Sequence, residues 1–109
     1  MSKILEKDWK KARSMKNGTL DLACQRILDS VSKIISDKEK SAHARYLELW
    51  KILEMEDDNI SLMFNNMKRS SAIIQLARWK FNDLISERDL ESFSPDTHKA
   101  INTLIESWR

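Results

Sequence analysis

The chain has 109 residues, 41% hydrophobic and 33% charged, with a net charge of +2, one glycine, one proline and one cysteine. This apolar content excludes a disordered chain, the small net charge excludes binding of polyanions by overall charge, and the lone Cys24 excludes an internal disulfide. Average usage would supply roughly eight glycines and five prolines; without them a sheet protein lacks the residues of its hairpin corners, so the chain reads as all-α. The expectation is a compact bundle of four to five helices in a single helical domain, residues 1–109.

The first segment is predicted from about Ser2 to Lys16, with Leu5, Trp9, Ala12 and Met15 near helical spacing and Asn17-Gly18 as a stop signal. Lys3, Lys7, Lys10, Lys11, Arg13 and Lys16 make it the most basic stretch of the chain. A basic amphipathic helix suits a phosphate-bearing partner or a membrane surface. Asp8, between Ile4 and Ala12 on the wheel, falls inside the arc that would enter lipid and argues against the membrane. No run approaches the length of a membrane span and the N-terminus has no apolar signal core, so the expected compartment is cytoplasmic.

Leu20, Ala23, Cys24, Ile27, Leu28, Val31, Ile34 and Ile35 then recur at three- and four-residue steps, predicting a one-sided core helix capped by Thr19, with Cys24 as a small buried hydrophobe. A capping box at Ser36-Asp37-Lys38-Glu39 is expected to open a third helix carrying Ala42, Tyr46, Leu49, Trp50 and Leu53 on one stripe. Carboxylates at a helix C-terminus oppose the macrodipole, so the acidic run Glu54 to Asp58 predicts a break near Asp57, with one continuous helix through this point as the alternative.

The fourth segment is expected from about Asn59 to Leu84. Ile60, Met63, Phe64, Met67, Ile74, Ala77, Phe81 and Ile85 form its main stripe, while Leu62, Ile73, Leu76 and Trp79 lie off it. A helix apolar on two faces must bury both, either as the centre of the bundle or at a subunit interface. Arg78 enters the main stripe and needs a carboxylate, a ligand or a second subunit, or else a path to solvent. Ser86-Glu87-Arg88-Asp89 predicts a short capped helix through Leu90 and Phe93, and Ser94-Pro95 opens a last helix with Ile101, Leu104, Ile105 and Trp108 on its apolar stripe.

Catalytic chemistry finds little support in these residues. His43 and His98 fall on separate helices without a companion at ligand spacing, and no glycine-rich loop is available for phosphates. An Mg²⁺ site would need paired carboxylates facing inward, but Glu48 has Lys51 and Ile52 at the third and fourth positions onward, and the acidic run reads as a solvated helix end. The C-terminal pattern also fails as a helix-turn-helix, since Leu90 to Ser94 is too short and Asp96, Thr97, His98 and Lys99 are poor readers of bases. No catalytic residue, metal ligand or cofactor is therefore assigned. The preferred reading is a non-enzymatic protein interaction module that self-associates as a homodimer, with Leu62, Ile73, Leu76, Arg78 and Trp79 as the partner-binding set. The alternative is a small accessory or regulatory protein that binds nucleic acid through the basic N-terminal helix.

Overall fold

The first helix does not stop at Asn17-Gly18. In the computed structural model, which describes residues 4–109, α1 runs unbroken over Glu6–Ser36. The predicted start at Ser2 lies outside the described residues. Gly18 sits in mid-helix at ordinary negative φ, at a propensity cost of about 1 kcal/mol relative to alanine. The helix persists because buried Ala12, Thr19 and Ala23 continue one face across the glycine, and tertiary burial on both sides outweighs the local stop signal.

Ser36 ends α1, its hydroxyl donating to the Ser32 carbonyl at 2.7 Å, and the expected capping box does not form. A turn follows in which the Asp37 side chain accepts from the Glu39 amide at 3.1 Å, and Ser41 caps α2 (Ala42–Phe64) by accepting from the Ala44 amide at 3.1 Å. α2 passes straight through the acidic run, so there is no break near Asp57: Glu54, Asp57 and Asp58 project into water, where their repulsion is screened. The two helices pack antiparallel as a long hairpin, its seam lined by buried Ala23 and Ile34 and half-buried Ile27, Val31, Leu49 and Ile52.

The proposed continuous helix from Asn59 to Leu84 is in fact two helices. α2 ends at Phe64, Asn66 takes the left-handed conformation at φ 55°, and after a 3₁₀ turn at Arg69–Ser71 the chain enters α3 (Ala72–Phe81). Polar groups hold this reversal: the Gln75 amide donates to the Asn65 carbonyl at 3.2 Å and the Lys68 amide to the Ser71 hydroxyl at 2.9 Å. It brings Trp79 beneath the end of α2, stacked on Phe64 with centroids 5.5 Å apart, its indole N–H donating to the Met63 carbonyl at 3.0 Å. Ile73, Leu76, Ala77 and Trp79 are all buried, making α3 the centre of the core.

A second left-handed residue, Asp83 at φ 57°, ends α3. Arg26 of α1 clamps this turn by donating to the carbonyls of Asn82 and Asp83 at 3.0 and 2.6 Å. α4 (Glu87–Leu90) and α5 (Pro95–Ser107) begin where Ser86 and Ser94-Pro95 predicted, the first with a reciprocal Ser86–Asp89 capping box. Among the described residues the fold is thus all-α, with five α-helices.

Asp8 locks α1 to α5. Although buried, its carboxylate accepts from the Ser94 amide at 3.1 Å, the Ser94 hydroxyl at 2.6 Å and the Thr97 hydroxyl at 2.7 Å, at the N-terminus of α5 where anions are favoured. Burial pushes this carboxyl upward; the bonds from Ser94 and Thr97, aided by the Lys7 charge, outweigh it and hold the group below the ordinary aspartate range.

Candidate interaction surface

Two very different regions result. One end is a packed body built from the first half of α1, the end of α2, α3, α4 and α5; the other is the bare α1–α2 hairpin. The molecule measures 52 × 25 × 24 Å with a radius of gyration of 16.7 Å, against about 13 Å for a compact chain of this length. Along the hairpin no third element among the described residues covers the flanks of the seam.

The apolar residues of those flanks therefore stay in water. Leu28 and Ile35 on α1 are 59% and 53% exposed, and Tyr46, Trp50 and Leu53 on α2 are 56%, 53% and 39% exposed. Each set lies roughly 100° round its helix from the seam, in the same rotational sense. In an antiparallel pair of right-handed helices, equal rotations in one sense point to the same side, so the five residues form a single face. Cys24 is exposed on the same flank, one position beyond buried Ala23, which corrects its expected burial. Near the tip, the Arg45 guanidinium donates to the Ile35 carbonyl at 2.6 Å and Lys40 pairs with Glu48 at 2.9 Å, so the turn that carries the face is fixed by polar contacts.

The partner-binding residues expected from the sequence divide differently. Ile73, Leu76 and Trp79 are 4%, 0% and 0% exposed, so they line the chain's own core and are not a free surface. The reversal at Asn65 and Asn66 allows one domain to absorb both apolar faces of the segment. Leu62 stays exposed near the end of α2. Arg78 is half-buried with its guanidinium 5.4 Å from the Trp108 ring centroid, so a cation–π contact meets its need for a partner.

Residues with chemical potential remain scattered. His43 is exposed at the start of α2, whereas His98 lines an open depression of about 700 Å³ with Phe93, Pro95, Lys99, Asn102 and Glu106. Among the described residues no three His, Cys, Asp or Glu side chains converge on a metal-binding geometry, and no helix is long and apolar enough to cross a membrane. No signal in the apolar pattern alone separated the exposed face of Tyr46 and Trp50 from the buried face of Leu76 and Trp79. The chain matches no family model, no curated protein and no solved structure, so the geometry of this face is the basis for a functional reading.

Proposed function

We propose that the protein is a non-enzymatic interaction module that works as a homodimer, two α1–α2 hairpins pairing face to face into a four-helix bundle. The observation that carries this reading is the single apolar face formed by Leu28, Ile35, Tyr46, Trp50 and Leu53. Scattered apolar residues are normal on a surface, but a contiguous set this large on a two-helix projection marks a docking site. With two aromatics included, the five exposed portions amount to roughly 500 Å² per copy, and pairing them buries about 1,000 Å², the lower bound of a specific interface. A second copy is the favoured occupant because the face is mainly apolar, with Ser32 and Asp57 at its margins, and so complementary to itself about a two-fold axis, the commonest symmetry of soluble assemblies. Antiparallel helical hairpins pair readily in this way, since four helices share one core where two cannot enclose one.

The test is the solution mass by light scattering over a range of micromolar concentrations. Wild-type protein is expected at twice the 12.8 kDa chain mass, and Trp50→Glu or Leu28→Glu at the chain mass with helical content retained, because both positions face water in the monomer. A wild-type monomer at every concentration, or a dimer indifferent to both substitutions, overturns the proposal.

A further inference from the structure

The charge of the molecule is separated along its length. Residues 4–16 together with Lys68 and Arg69 hold seven cations and two carboxylates, whereas the remaining described residues hold eleven cations and fifteen carboxylates. This patch thus carries +5 and the remainder of the described residues −4. Moreover, the two carboxylates of the patch are already engaged: Glu6 pairs with Arg69 at 2.7 Å, and Asp8 is buried against Ser94 and Thr97. Among the described residues Lys7, Lys10, Lys11, Arg13 and Lys16 have no carboxylate within 4.0 Å. Lys7, Lys10, Arg13 and Lys16 succeed each other at three-residue steps, each a rise of about 4.5 Å and a turn of about 60°, so Lys10 and Arg13 are central and Lys7 and Lys16 stand on the two flanks.

We infer that this face of α1 binds nucleic acid by its phosphate backbone, without reading bases. Lys10, Arg13, Ser14 and Lys16 line a shallow groove of about 480 Å³ closed on one side by Met67, and no carboxylate borders it. Its three charged groups are donors only, and the Ser14 hydroxyl, whose proton goes to the Lys11 carbonyl at 2.7 Å, adds no donor to them. A phosphodiester backbone presents a regular row of anionic acceptors, which matches this run of cationic donors. Arg13 lies 5.3 Å from the Trp9 ring centroid, which restrains its long side chain at the groove edge before any ligand arrives. A lipid surface is disfavoured because the apolar side of this stretch, Ile4 and Ala12, is buried in the core and has nothing to insert. This inference stands apart from the dimer, since the basic groove and the apolar face occupy opposite halves of α1.

The experiment is fluorescence anisotropy with a labelled 20-base-pair DNA duplex and its single strand across 50 to 200 mM KCl. About four phosphate contacts predict log–log salt slopes of about −3.6 for the duplex and about −2.8 for the single strand, affinity losses of about 150-fold and about 50-fold over that range. The double variant Lys10→Glu/Arg13→Glu is expected to bind at least tenfold more weakly at 50 mM with a slope flatter by about two, its circular dichroism and solution mass unchanged. The control Lys33→Glu/Lys38→Glu, at the hairpin tip, is expected to bind as wild type. The inference is overturned by absent binding of both probes at 50 mM, by equal losses in variant and control, by polyglutamate competing as well as unlabelled duplex, or by preferential binding to vesicles containing phosphatidylserine.

Discussion

Replacing Asp8 by Asn tests whether a buried carboxylate holds the first half of α1 to α5. The carboxylate receives three donors, the Ser94 amide, the Ser94 hydroxyl and the Thr97 hydroxyl. Asparagine keeps the shape but offers one oxygen and directs an NH₂ group at those donors, leaving one or two buried groups without a partner. Each orphaned group costs about 1–3 kcal/mol, so the expected loss is about 2–4 kcal/mol. That is a large share of the about 5–15 kcal/mol typical of a small domain, and it lowers the melting temperature by about 10–25 °C. The pH dependence has a definite sign. In the folded chain the Asp8 carboxyl titrates below its ordinary range, so its contribution is fully present above the unfolded pKa of about 4 and is lost as pH falls through the lower folded value. Urea denaturation of wild type and Asp8→Asn at pH 7 and at successive steps below pH 4 measures both effects. A difference under 0.5 kcal/mol at pH 7, or one that fails to shrink on acidification, refutes the role given to Asp8.

Gly18→Ala is expected to raise stability by about 0.5–1 kcal/mol in thermal denaturation, because the residue is helical and an added Cβ meets nothing within 4 Å. Ser41→Ala removes the cap of α2 and is expected to cost about 1 kcal/mol, whereas Ser36→Ala, which removes only a bond to the preceding turn, changes the denaturation midpoint little. Trp79→Ala should destabilise the monomer by about 3–5 kcal/mol, while Trp50→Ala should leave monomer stability within about 0.5 kcal/mol, a contrast that intrinsic fluorescence during urea titration resolves.

Where local chemistry alone decides a feature, the sequence is a good guide. The scarcity of glycine and proline points to helices, and Ser86 with Asp89 and Ser94 with Pro95 mark two helix starts because a cap needs only residues within one turn. Asn17-Gly18 misleads for the opposite reason: its stop signal is worth about 1 kcal/mol, and burial of the surrounding stripe exceeds that. The turn at Asn65-Asn66 is hidden because apolar spacing continues across it, and the Gln75 bond to the Asn65 carbonyl that stabilises it joins residues ten apart. Asn66 and Asp83 also show how the chain turns without glycine, since short polar side chains tolerate the left-handed region. The candidate surface was the least legible part. Tyr46 and Leu53 fall on as regular a stripe as any core residue, and only the arrangement of the body shows that nothing covers them.

Since α1 is continuous, both proposed surfaces ride on one stiff beam roughly 46 Å long. There is no linker in which a mismatch could relax. A tilt of about 10° where Asp8 secures its foot would swing the far end by roughly 8 Å, more than the diameter of a side chain. Seating of the beam at α5 thus governs where the distant tip can reach, and loosening that anchor would blur the tip's position even with every tip residue intact.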